Sequence, residues 1–161
     1  MSKLRVAYYT DDGTLAVAPA VRRAVREAAD ILRDCGAQIT AWSPPDVPQA
    51  IEAFFSIFTA DGGELVSEML GRGYTALYNL LGYPAGIVPN TRVRPGEESD
   101  RAASRDILEQ AARKVELGSA GLPVGVQVVA RPWREHVALA AMQAIERAAR
   151  ARADFPAAPQ F

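Results

Sequence analysis

Cys35 and His136 are the one thiol and the one imidazole in a chain of 161 residues. A cysteine nucleophile needs a base in contact and surroundings that favour the thiolate. Val21, Ala24, Val25, Ala28, Leu32 and Cys35 recur at helical spacing, which puts the cysteine on an apolar helix face. His136 falls on the polar face of a different helix. The pattern predicts a small core residue and a solvated histidine, not a catalytic pair. The same two residues leave no internal disulfide and no zinc-type ligand set. Asp61, Glu64 and Glu68 could do acid–base work or hold a cation, but a solvated helix face explains them more simply. Gly71-Arg72-Gly73-Tyr74-Thr75-Ala76 fits G-x-G-x-x-A, yet a dinucleotide site needs a strand directly before the glycines, and Glu64 to Leu70 reads as helix. Arg131 and Arg134 flank Trp133, where anion capture or stacking on the indole competes with a plain helix entry carrying solvated arginines. None of the seven serines sits in G-x-S-x-G, and Lys3 and Lys114 stand apart from any Gly/Ser-rich stretch. Residue types and spacing therefore predict no catalytic residue, no metal site and no cofactor.

The elements that would position such residues are those of an α/β chain. Leu4 to Thr10 reads as a strand, Pro19 to Cys35 as a helix stopped by Gly36, and Ala37 to Trp42 as a second strand. A parallel pair joined by a helical crossover is the expected result. Asp46 and Gln49 have capping-box spacing ahead of a helix with Val47, Ile51, Phe54, Phe55 and Phe58 as its stripe. Thr75 to Leu81 reads as a short helix and Pro84 to Pro89 as a buried strand. Within the polar stretch 90–121 a helix is expected from about Asp100 to Glu116, with Ile107, Leu108, Ala111 and Val115 inward. Val124 to Ala130 is the clearest strand, and its Gly125 would let a helix pack close. Glu135 to Arg150 closes the set, with Val137, Ala141, Ile145 and Ala148 inward. The fold class is α/β, a mixed β-sheet flanked by helices in one domain over 1–161. A joint is expected near 70–74, and a frayed tail over 151–161.

The net charge of −1 gives no field for nucleic acid, and no run of 18 apolar residues exists. The start of the chain has no apolar signal core, which predicts a cytoplasmic protein. Thirty alanines, and 16 arginines against two lysines, suggest a GC-rich bacterial source.

Tyr74-Thr75-Ala76-Leu77-Tyr78-Asn79-Leu80-Leu81-Gly82-Tyr83-Pro84-Ala85-Gly86-Ile87-Val88-Pro89 and Gly121-Leu122-Pro123-Val124-Gly125-Val126-Gln127-Val128-Val129-Ala130-Arg131-Pro132-Trp133 together resemble the C-terminal half of amidase-signature hydrolases. Leu4 to Thr10, Pro19 to Val25 and Asp61-Gly62-Gly63 are similar to the fatty acid amide hydrolase branch of that family. The resemblance implies a partial amidase-signature fold and amide hydrolysis through a Ser-Ser-Lys triad, with backbone N–H groups holding the oxyanion. Those parts belong to the family's N-terminal half, and neither a Gly-Gly-Ser-Ser-Gly-like stretch nor a matching lysine occurs here. No catalytic residue is carried over, and the chain is expected to be silent alone.

The resemblance also implies a long helical segment between Asp61-Gly62-Gly63 and Tyr74-Thr75-Ala76-Leu77-Tyr78-Asn79. Here Glu64 to Gly73 joins them directly, an internal deletion that weakens any membrane claim, so no clear membrane association is expected. By position, Arg72 and Ala76 would face the acyl channel of a substrate pocket. An incomplete sheet leaves an edge or face exposed, so a homo-oligomer or a complementing N-terminal amidase half is the expected partner. Two other readings stay open. One is a binding or assembly module that kept the fold and lost the chemistry. The other is an unrelated small enzyme using Cys35 or the carboxylates.

Overall fold

The computed structural model describes residues 3–14, 16–59, 77–78 and 80–157. Strand β1 (Arg5–Tyr8) leads into helix α1 (Pro19–Asp34), and strand β2 (Gln38–Ala41) returns beside β1 in parallel, with Val6 opposite Ile39. Helix α2 (Val47–Thr59) follows. Strands β3 (Ala85–Arg92) and β4 (Pro123–Val129) pair antiparallel, with helix α3 (Ile107–Glu116) between them in sequence, and helix α4 (Glu135–Ala149) comes last. The parallel β1–β2 pairing foreseen from the sequence is present, and β3 and β4 pair with each other. They form two two-stranded sheets among the described residues, where a single mixed sheet was expected.

Helix α1 starts at Pro19, whose missing N–H costs nothing in the first turn. It ends where Gly36, at φ 90°, lets Ala37 N–H reach back to Leu32 O at 3.0 Å. Its face of Ala20, Ala24, Ala28, Ile31 and Leu32 is buried, as is the Ala138, Ala141 and Ile145 face of α4. These two helices cover one side of β3–β4, where Val88, Val124 and Val126 point inward. The alanines allow close approach, and the larger Ile145, Leu32 and the valines fill the space between them.

Strand β3 continues past its expected end because of a bulge. Pro89 lies opposite Gly125 and Thr91 opposite Val124, so Asn90 is the extra residue. Asn90 and Thr91 are consequently both fully buried, although they are neighbours in sequence. Helix α3 is shorter than expected. It begins only after Asp106, whose carboxylate accepts from Leu108 N–H at 2.8 Å and Glu109 N–H at 3.1 Å. The described part of the C-terminal tail, expected to fray, is tied down: Asp154 accepts from Thr91 Oγ1 at 2.8 Å, and Arg152 pairs with Glu27 at 2.8 Å.

Candidate functional site

The pocket residues implied by the family resemblance, Arg72 and Ala76, lie outside the described residues. So do the joint near 70–74, the G-x-G-x-x-A stretch, and Asp61, Glu64 and Glu68. Cys35 caps the end of α1 and is exposed, not buried as expected, because the helix has already turned away from its apolar face there. His136 is exposed in the first turn of α4. No hydrogen bond joins these two among the described residues. Arg131 and Arg134 are solvated, and Trp133, at φ 62°, extends into solvent with them. Among the described residues no group of three His, Cys, Asp or Glu is placed to hold a metal ion. An open depression of about 350 Å³ beside α3 is lined by Ser104, Gln110, Arg113, Lys114 and Leu117, without a convergent nucleophile and base.

Two features of β3–β4 stand out. The first is its outer face. Ala85, Ile87 and Pro89 on β3 and Pro123 and Gly125 on β4 point away from the helices. Ile87 is 65% exposed. Gly125 belongs to this face: a Cβ there would lie 2.7 Å from Ile87 Cγ2. It does not open room for a helix, as the sequence suggested. That role falls to Gly86, where a Cβ would meet Met142 Sδ at 2.7 Å. The side-chain alternation of the strand decides between the two.

The second is a polar seam along the other side. Arg23 on α1 donates from Nε to both Glu97 carboxylate oxygens (3.0 and 2.9 Å), from Nη1 to Glu27 (3.0 Å) and Thr91 Oγ1 (2.9 Å), and from Nη2 to Arg92 O (2.7 Å). Asp154 adds Arg94 at 2.8 Å. Burial works against the charge on Arg23, but its hydrogen bonds to Glu97 and Glu27 outweigh this and raise its pKa. The hydrogen bond from Arg23 holds Glu97 below the usual carboxylate range. Asp154 is also lowered: burial opposes its charge, and the hydrogen bonds from Arg94 and Thr91 overcome that. Asn90 Nδ2 donates to Ala24 O at 2.9 Å, while its buried Oδ1 has no protein partner. The seam joins α1, the bulge, the 94–97 turn and the tail. The bonds of Arg23, Arg94 and Arg152 there go to neighbouring elements of the fold. The i, i+4 spacing of Arg23 and Glu27 is the signal of this seam that the sequence carries.

This is an α/β chain with a helix-covered antiparallel pair and no assembled catalytic group among its described residues. An amidase family model matches residues 1–73. "Fatty acid amide hydrolase 1" of Caenorhabditis elegans is 25% identical over 89% of this chain and 43% of its own length. "Fatty-acid amide hydrolase 1" of Sus scrofa is 42% identical over 46% of this chain and 14% of its own. In structure, 88% of the chain superposes on 39% of a solved "Fatty acid amide hydrolase" with a TM-score of 0.67 at 20% identity, a likeness of fold. The chain resembles amidase-signature hydrolases, and among them the fatty acid amide hydrolase-like branch. It spans less than half the length of these relatives. The nematode alignment runs over 244 positions, of which 89% of 161 residues supplies about 143. About 100 positions of that alignment thus have no counterpart here.

Proposed function

We propose that the chain is the C-terminal portion of an amidase-signature hydrolase, and that the complete machinery cleaves amide bonds of fatty acid amide-like substrates. The observation that carries this reading is the match to the nematode fatty acid amide hydrolase across 89% of the chain. The nucleophile and its activating lysine would come from a polypeptide outside this sequence. In such an assembly Arg72 and Ala76 would line the substrate channel. The absence from the 161 residues of a Gly/Ser-rich stretch with its lysine supports a chain that is silent alone. The test is intact mass after incubating the folded chain with a fluorophosphonate. No adduct is expected from the chain by itself. Labelling and fatty acid amide hydrolysis should appear once it is co-expressed with the N-terminal part of a fatty acid amide hydrolase. A stoichiometric adduct on the chain alone would overturn this reading.

A second reading has its own support. The outward Ala85, Ile87, Pro89 and Pro123 form an apolar sheet face that no described element covers. A non-catalytic assembly module, pairing with itself or with another chain, would use such a surface without any chemistry. Complementation that restores binding but never hydrolysis would favour it.

A further inference from the structure

The segment after α4, residues 150–157, folds back onto α1 and the bulge of β3. It buries no residue fully. Arg152, Asp154, Phe155 and Pro156 are half-buried, and Ala151, Ala153 and Ala157 are exposed. Phe155 stays outside the apolar core, with the Arg150 guanidinium of the same segment 5.3 Å from its ring centre. Charge fastens the segment instead. Asp154 Oδ2 accepts from Thr91 Oγ1 at 2.8 Å and from Arg94 Nη2 at 2.8 Å and Nε at 3.2 Å, with Arg23 Nη1 3.9 Å away. Arg152 Nη1 donates to Glu27 at 2.8 Å. One clasp therefore lies on the bulge and the turn after it, the other on α1, and the near end is continuous with α4.

We infer that residues 150–157 are an acid-released strap, which clasps α4 to α1 and the bulge while Asp154 is ionised and opens as a unit when that carboxylate is protonated, with the helices and β3–β4 still folded. Three observations carry this. The first clasp converges on one carboxylate oxygen, so a single proton removes its charge-assisted bonds. No apolar burial backs it up, whereas α1 and α4 are held by buried alanines, Ile31, Leu32 and Ile145. The second clasp cannot replace the first. Glu27 is shared by Arg23 at 3.0 Å, Arg152 at 2.8 Å and Arg94 at 3.4 Å, so an Arg94 released from Asp154 competes with Arg152 for it. The charged groups around Asp154 are Arg23 and Glu27 on α1, Arg94 and Glu97 in the turn after β3, and Arg152 in the strap. Burial works against the Asp154 charge, and the hydrogen bonds from Arg94 and Thr91 outweigh it and lower its pKa. A carboxylate lowered on folding holds its partners above its ordinary pKa and loses them as pH falls through the folded one. Opening uncovers the Thr91 hydroxyl, which is fully buried when the strap is closed. The strap is independent of the amidase reading.

A nitroxide label on the full chain tests this. In a Cys35→Ser background, Ala153→Cys puts the label on an exposed strap position, and Ala140→Cys puts a control on the exposed side of α4. At pH 7 the label at 153 should give the spectrum of an immobilised nitroxide. On acidification it should become mobile with a midpoint below about 4, the ordinary carboxylate value, and return on neutralisation. The control label and the far-UV circular dichroism should stay unchanged across that transition. Asp154→Ala should give the mobile spectrum already at pH 7, and Arg94→Met should move the midpoint up towards the ordinary carboxylate value. Should the Asp154→Ala chain fail to fold, the acid titration of the parent chain decides. A label at 153 that is already mobile at pH 7 in the parent chain overturns the proposal. So does one that stays immobilised in acid or in the Asp154→Ala chain. Release that comes only with loss of the helical circular dichroism signal also overturns it, because the segment would then open with the common core.

Discussion

Helices α1 and α3 are both amphipathic in sequence, yet they settle with opposite faces inward. α1 buries alanines, Ile31 and Leu32 against β3–β4, and its position is fixed by apolar area removed from water. α3 buries no residue fully, and what faces the protein is Arg101 with two glutamates. Hydrophobic burial is non-directional and tolerant of small shifts, whereas a multi-bond guanidinium node fixes one rotation and is costly when a partner is lost. The molecule thus has a region stabilised by packing and a region stabilised by geometry, and the two should fail differently.

The largest expected effect is in the packed region. Ile145→Ala on α4, at a site 1% exposed, should cost about 2–5 kcal/mol by the usual large-to-small penalty, read as a lower urea midpoint. Ile107→Ala on α3 should change the unfolding free energy by less than about 0.5 kcal/mol, as expected for an exposed position. Equal losses at the two sites would remove the distinction between the regions.

Next comes the geometric node. Arg101→Met leaves Glu109 and Glu116 without their shared cation, a penalty of about 3 kcal/mol where a pair is buried. Because α3 is held mainly through this node, the loss should appear as local opening. Amide exchange over 107–116 should accelerate strongly, while α1 and α4 keep their protection. Uniform loss of protection across all three helices would show that α3 is part of the common core after all.

How much of this could be read from the sequence divides along the same line. The inward faces of α1 and α4 followed from apolar spacing, since for them the apolar side is the buried side. For α3 the same rule put Ile107, Leu108, Ala111 and Val115 inward and failed. The partners of Arg101 lie 8 and 15 residues away, and periodicity counts apolar residues without registering a buried guanidinium. The two glycines were harder still. Gly86 and Gly125 sit in similar strand contexts, and only the pairing register, with its bulge at Asn90, shows that one faces Met142 and the other Ile87. Of the candidate site, the family was legible from its motifs, while Arg72 and Ala76 fall outside the described residues.

Those glycines give a smaller test of the packed region. Gly86→Val forces Met142 aside and should cost about 1–3 kcal/mol, part of it recovered by Met142→Ala. Gly125→Ala meets only the exposed Ile87 side chain, which can swing into solvent, and should cost less. The reverse order would mean that the outer sheet face is covered in solution, as an occupied interface would be.

The smallest effect separates ordinary ion pairing from the seam at the bulge. Glu97 and Asp154 are both held below their ordinary carboxylate values in the folded chain. A group depressed on folding contributes stability that is complete above its unfolded pKa and is lost as pH falls through the folded one. The seam should therefore leave stability flat from neutral pH down to about 4, the ordinary carboxylate range, and weaken it progressively below that. Glu97→Gln removes one of the two titrating groups. It should lower the melting temperature at pH 7 and make its fall below pH 4 shallower than in the parent chain. An unchanged acid slope would mean that Arg23 exchanges Glu97 for Glu27 or water without loss. The seam would then be a set of surface pairs of the kind that adds little to stability, and not a second geometric node beside Arg101.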